Sequence, residues 1–165
     1  MSDGILPIIA ARHSVRKYKP DPVPKELLDK LLLNAQMAPN AMGKNPWKFH
    51  VITTPEMLTK LGEISKKPHY NAPVVVFTTI PAGKGCPGYE VYDCALAHEN
   101  MCLAAAHHGL GSVILAYNYP SDATPAVKQL LGIPADEWIC PCDVAIGVPA
   151  DAPAPRNRKV DSQYH

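Results

Sequence analysis

Arg12-His13-Ser14-Val15-Arg16 sets two guanidinium groups around a hydroxyl close to the start of the chain. An arginine fork grips a phosphate dianion through two parallel N–H bonds, and a serine hydroxyl can complete the shell. Arg12, Ser14 and Arg16 are two residues apart, so along an extended turn they point the same way. Anion binding is the chemistry this spacing could do, and a solvated basic turn is the plainer alternative. A second stretch follows, Ala38-Pro39-Asn40-Ala41-Met42-Gly43-Lys44-Asn45-Pro46-Trp47-Lys48-Phe49, in which small and polar residues run into aromatic ones.

Other constellations carry less. Cys140-Pro141-Cys142 and His107-His108 invite a metal, but structural zinc takes four ligands from paired spacings. A one-residue cysteine gap with no second pair does not supply them, so these residues are expected to be buried thiols and a helix-end histidine. Gly83-Lys84-Gly85-Cys86-Pro87-Gly88 lacks phosphate-loop spacing, and Gly109-Leu110-Gly111 lacks the third glycine of a dinucleotide fingerprint. Both are expected to be turns.

The elements that must position these groups follow from punctuation and period. Asp3 can cap a short helix over residues 4–11, with Pro7 tolerated in its first turn. Pro24 suits the first position of a second helix, in which Leu27, Leu28, Leu31, Leu32 and Ala35 make one apolar stripe until Pro39 ends it. Trp47, Phe49 and Val51 alternate with Lys48, His50 and Ile52, a strand with one well-buried face. Thr54 and Pro55 open a third helix with Met57, Leu58, Leu61 and Ile64 inward. Residues 73–79 form a strand covered on both sides. Residues 92–108 form a long Ala/Cys-rich helix closed by Gly109, suited to close packing in the core or at a subunit contact. A strand over 112–116, a short helix from Thr124 to Gly132 and a strand within 140–148 complete the pattern. Lys66 and Lys67 are expected on the solvated surface.

At 165 residues, one domain over 1–165 is expected, with residues 149–165 as an extended tail. A hydrophobic fraction of 47%, a charged fraction of 19% and a net charge of +1 describe a globular chain with no general attraction to nucleic acid or anionic membrane. No apolar run approaches the ~20 residues that span a bilayer, and the opening Met-Ser-Asp-Gly does not have the basic-then-apolar pattern expected of a signal peptide. Five cysteines make no disulfide framework, so a cytoplasmic location is expected.

The two opening segments, with Ala105-Ala106-His107-His108-Gly109-Leu110-Gly111-Ser112 and the basic tail Pro155-Arg156-Asn157-Arg158-Lys159, resemble the flavin-dependent nitroreductase family in this order over nearly the whole chain. Strand and helix alternation alone would suggest a parallel sheet in a three-layer arrangement. The resemblance implies instead an α+β three-layer fold, its central sheet mixed and mostly antiparallel, flanked by helices and intertwined as a homodimer. It further implies FMN at the subunit interface. Arg12, His13, Ser14 and Arg16 would hold the phosphate and ribityl chain, with Arg158 and Lys159 closing over the phosphate.

By the same resemblance Pro39, Asn40, Ala41 and Asn45 would wall the isoalloxazine ring from the opposite subunit. Two positions depart from the family pattern: Gly43 replaces a common asparagine, and Asn45 stands where a glutamine is usual before Pro-Trp. Leu115, Ala116, Tyr117 and Asn118 would support the ring near N5, although many relatives carry an acidic residue and glycine where Ala116 and Tyr117 stand. The activity implied is NAD(P)H-driven ping-pong reduction of nitroaromatics, quinones or similar electron-poor acceptors in a comparatively open site, with no catalytic acid or base named and no metal. A non-catalytic flavin-binding sensor or storage protein is the alternative.

Overall fold

Prolines sit in the first turn of three helices of this chain, because a fixed φ and a missing N–H cost nothing there. The computed structural model describes residues 4–66, 69–116, 123–152, 154 and 162–163. Helix α1 (Pro7–Ala11) starts on Pro7 after Leu6, so it is shorter than the sequence suggested, and Asp3 lies outside the described residues. Helix α2 (Lys25–Gln36) has Pro24 as its N-cap rather than its first residue. It ends before Ala38, since the residue preceding a proline is pushed out of the helical region. Strand β1 (Lys48–Ile52), helix α3 (Pro55–Ser65) and strand β2 (Val74–Ile80) follow. Helix α4 (Glu90–His107), strand β3 (Gly111–Ala116), helix α5 (Thr124–Leu131) and strand β4 (Trp138–Gly147) complete the elements.

The strands lie in the order β1-β2-β4-β3, and every pairing between them is antiparallel. The parallel sheet suggested by alternation alone is therefore wrong, because segment order does not encode strand direction. The parallel link described is a single bridge outside the strands, Ser14 to Ser112.

Side chains alternate across the central strand β2, whose seven residues are all buried. Val74, Val76 and Ile80 join the α2 and α4 core with Leu31, Ala97 and Met101. Val75 and Phe77 join Leu61, Val127 and Ile139 beneath α3 and α5 on the other face. Helices thus cover both faces of the sheet. The small residues of α4 explain its place: Cys94, Ala97 and Ala105 are fully buried. At edge strand β1 the expected face is Trp47, buried just before the strand, with the partly buried Phe49 and Val51 packed against the same core.

One buried histidine on α4 was not singled out by its sequence context. His98 shares a 2.8 Å hydrogen bond with Thr78 of β2, and burial lowers its pKa from 6.5 to about 4. Below pH 6.5 the unfolded chain takes up a proton that the folded ring refuses. Stability is therefore complete above pH 6.5 and falls as the pH drops toward 4, by up to about 1.4 kcal/mol per unit. Denaturant titrations across that range should show this slope, and His98→Gln should flatten it.

Candidate functional site

Residues 12–18 run along the free edge of β3 and across the exit of β4. The Val15 N–H donates to the Ser112 carbonyl at 2.9 Å, and Lys19 N–H to the Val148 carbonyl at 2.8 Å. Gly111 lets this strap lie close, since a Cβ there would meet the Val15 side chain at 2.6 Å. Tyr18 anchors its far end by donating its hydroxyl to the Val15 carbonyl at 2.8 Å, with the Ala145 carbonyl at 3.2 Å. Burial holds the Tyr18 phenol well above its ordinary range.

The basic residues expected to meet an anion are thereby aligned. Arg12 is oriented by Glu99 of α4, Nε to Oε1 at 3.1 Å, and its Nη groups have no partner among the described residues. Ser14 and Arg16 are exposed, and among the described residues Arg16 makes only a long 3.5 Å contact to the Ser14 carbonyl. His13 is engaged differently. Its Nδ1 lies 2.7 Å from the Ala11 carbonyl and its Nε2 2.9 Å from the Ala154 carbonyl, so the ring ties the strap to the tail. Arg158 and Lys159 lie outside the described residues.

A notch of about 180 Å³ opens beside this cradle, lined by Arg12, His13, Val15, Leu110 and Ser112 among others. A larger cleft of about 660 Å³ lies between Pro20, Val23, Thr59, His69 and Asn71 and touches none of the cradle residues. The smaller notch matters more here, because Arg12 and His13 line it, although Ser14 and Arg16 do not.

Leu115 and Ala116 stand at the far end of β3, paired with Asp143 and Cys142. They lie three and four residues beyond Ser112 on β3, about 10 Å or slightly more along the strand. The residues expected to hold the phosphate and those expected to support the ring therefore lie along one strand. Tyr117 and Asn118 lie outside the described residues.

The remaining site segment is folded back on itself. Asn40 Nδ2 donates to Asn45 Oδ1 at 2.8 Å, and the Asn45 N–H donates to Asn40 Oδ1 at 2.9 Å. This clasp encloses a short 3-10 turn, Ala41–Gly43, and leaves Met42 almost fully exposed. Pro39 precedes the clasp, and the Ala41 N–H donates to Asp93 of α4 at 2.9 Å. The loop and the strap thus contact α4 six residues apart, at Asp93 and Glu99. Asp93 escaped the sequence reading. Its place in the first turn of a helix resembled an ordinary favourable dipole contact.

Among the described residues, no three His, Cys, Asp or Glu side chains are grouped to hold a metal, and no helix is long and apolar enough to cross a membrane. The thiols are suited to packing rather than chemistry. Burial pushes the Cys102 thiol up to about 11, and a hydrogen bond to Cys140 with burial raises that of Cys142.

With this geometry in place, comparison with known proteins decides the family. The sequence model of the nitroreductase family matches residues 9–69 and 66–148. The chain belongs to that family. A Methanothermobacter thermautotrophicus protein, provisionally named NADH dehydrogenase/NAD(P)H nitroreductase, is 35% identical over 157 residues, covering 93% of this chain and 81% of its own. An FMN-dependent nitroreductase from Clostridium difficile superposes with a TM-score of 0.80 at 28% identity, over 91% of this chain and 90% of that one. A nitroreductase from Bacteroides fragilis with bound FMN gives a TM-score of 0.78 at 25% identity, over 98% and 96%. As in any nitroreductase-family chain, the site must be judged by its own residues.

Gly111 offers a direct test of how closely the strap must approach β3. Gly111→Ala should cost about 1–3 kcal/mol in denaturant unfolding, the range for overpacking a filled site. The strap should shift as Val15 gives way. Unchanged stability would mean that the strap is not seated on β3.

Proposed function

We propose that this chain is an FMN-dependent oxidoreductase that reduces nitroaromatics, quinones or similar electron-poor acceptors with NAD(P)H. The observation that carries this reading is the row of Arg12, Ser14 and Arg16 along the edge of β3, in a chain of the nitroreductase family. The donor set fits a mononucleotide phosphate: Arg12 is braced by Glu99 with its Nη groups left over, and Ser14 and Arg16 face solvent. Hydrogen bonds to a charged group contribute about 1.5–3 kcal/mol each, so these donors dominate retention. When bound, FMN supplies the hydride chemistry, accepting from NAD(P)H and giving to the second substrate in ping-pong order.

The protein's share is binding, shape and exclusion of water. Leu115 and Ala116 form a ledge under the ring, with Tyr117 and Asn118 continuing it. His13 holds the strap to the tail, so that Arg158 and Lys159 close over the phosphate. Pro39, Asn40, Ala41 and Asn45 wall the ring from the second subunit of an intertwined homodimer.

Two features support the dimer. The notch of about 180 Å³ is smaller than the roughly 300–1,000 Å³ of sites that enclose a ligand of this size. In addition Leu33, Met37, Met42, Tyr92 and Leu96 are exposed on α2, the loop and α4. Apolar groups gathered in this way mark an interaction surface. The connections around the site are brief, so the acceptor end is open and tolerant of many flat acceptors.

Freshly purified protein should be yellow. Anaerobic NADH or NADPH should bleach it, and a nitroaromatic or quinone should restore the colour. Retained but unbleached flavin would identify a binder without turnover, and folded protein that refuses added FMN would end the reading.

A further inference from the structure

Asp93 is the fourth residue of α4 and is only 2% exposed. Its Oδ1 accepts the Ala41 N–H at 2.9 Å, and its Oδ2 is buried with no hydrogen-bond partner among the described residues. A carboxylate half-satisfied in the interior is a poor choice for packing, since burial penalises charge that is not fully paired. An apolar or amide side chain would suit the core better, so Asp93 is explained by the loop it holds.

That loop is under strain. Met42, Gly43 and Asn45 have φ values of 56°, 63° and 48°, in the left-handed region that non-glycine residues avoid. Such conformations persist where the surroundings over-determine them, and they gather at ligand clamps. The Asn40–Asn45 clasp closes the loop on itself without fixing it to the body of the protein. Lys44 reaches the Gly85 carbonyl at 3.1 Å, but that contact is exposed. Cys86 makes a weak 3.8 Å thiol contact to the Ala41 carbonyl. Among the described residues, the part-buried Asp93 bond at 2.9 Å is the one hydrogen bond between the loop's turn and α4.

We propose that Asp93 is a positioning residue for flavin binding, latching Ala41 so that residues 39–45 present a fixed wall to the ring. This rests on the flavin reading above. Asp93 acts through the Ala41 N–H and does not touch the ring.

The test is an FMN titration followed by flavin fluorescence on the full-length protein, Asp93→Ala and Asp93→Asn, with thermal unfolding and the visible spectrum of bound flavin recorded for each. Asp93→Ala should weaken FMN about tenfold, the loss of one hydrogen bond to a charged group. Its bound-flavin spectrum should shift while the unfolding midpoint stays near that of the parent. Asp93→Asn keeps an acceptor for Ala41 and should restore affinity to within about threefold. Equal affinity of Asp93→Ala and the parent would overturn the proposal, as would equal losses in both variants. Should Asp93→Ala fail to fold, hydrogen exchange at the Ala41 amide of the parent decides, slow exchange supporting the latch and fast exchange overturning it. If the parent itself refuses FMN while that amide exchanges slowly, the latch exists but the flavin reading has failed, and its assignment to flavin binding falls with it.

Discussion

Arg12→Ala is expected to weaken FMN binding by a factor on the order of 10–100 in a flavin fluorescence titration. The size follows from the geometry as well as from the charge removed. Glu99 holds the Arg12 guanidinium at 3.1 Å, and the Glu99 side chain is itself 47% exposed. Without Arg12, that carboxylate faces the incoming phosphate uncompensated, and like charges repel where a clamp stood. The double variant Arg12→Ala/Glu99→Gln should therefore recover part of the loss. Glu99→Gln alone leaves the guanidinium in place and should change affinity by less than about threefold. Unchanged FMN retention in Arg12→Ala would remove Arg12 from the site.

A second large effect is expected away from the cradle, at His69. Its Nε2 donates to Asp143 Oδ2 at 3.2 Å, with His69 at 8% exposure and Asp143 fully buried in the middle of β4. His69 precedes Tyr70 and Asn71, which have φ of 55° and 54°. The imidazole thus both partners one oxygen of a buried carboxylate and fixes a strained turn at the entry to β2. His69→Ala should cost about 3–5 kcal/mol of unfolding free energy, the usual penalty for removing one partner of a buried pair. His69→Leu/Asp143→Leu should regain most of that, since replacing both partners with apolar groups removes the charge along with its partner. A loss below about 1 kcal/mol in His69→Ala would show that the pair adds little to stability.

These two predictions differ in how far they could be foreseen. The Arg12 row was legible because arginine–serine–arginine at alternate positions carries its meaning within five residues. The His69–Asp143 pair was not, because its members are 74 residues apart and neither has a telling neighbour. His69 stands in a short turn between helix and strand, and Asp143 interrupts an otherwise apolar strand. Lone polar residues of this kind become interpretable only when a partner is brought to them.

The same division runs through the fold. Period and punctuation foretold α2, α3, β2 and α4, because side-chain alternation, proline and glycine act within about four residues of chain. The small-residue composition of α4 pointed to close packing in the core or at a subunit contact, and the fold places it in the core. The loop over residues 40–45 was expected from the family resemblance to face a ligand, but its Asn40–Asn45 clasp and its tie to Asp93 were not foreseen. His13 was placed with the phosphate donors, whereas in the fold its ring spans the Ala11 and Ala154 carbonyls.

Taken by itself, the sequence determined which segments become helix or strand and singled out Arg12, Ser14 and Arg16 as candidate anion donors. It did so because backbone preference and arginine chemistry are local. Tertiary structure alone decided the order β1-β2-β4-β3, the antiparallel sense of every pairing, and the partners of Arg12, Asp93 and Asp143. The physical reason is that a strand's hydrogen-bonding edge is the same whichever neighbour it meets. The choice falls to burial summed over both faces of the sheet, and no short stretch of residues carries that sum.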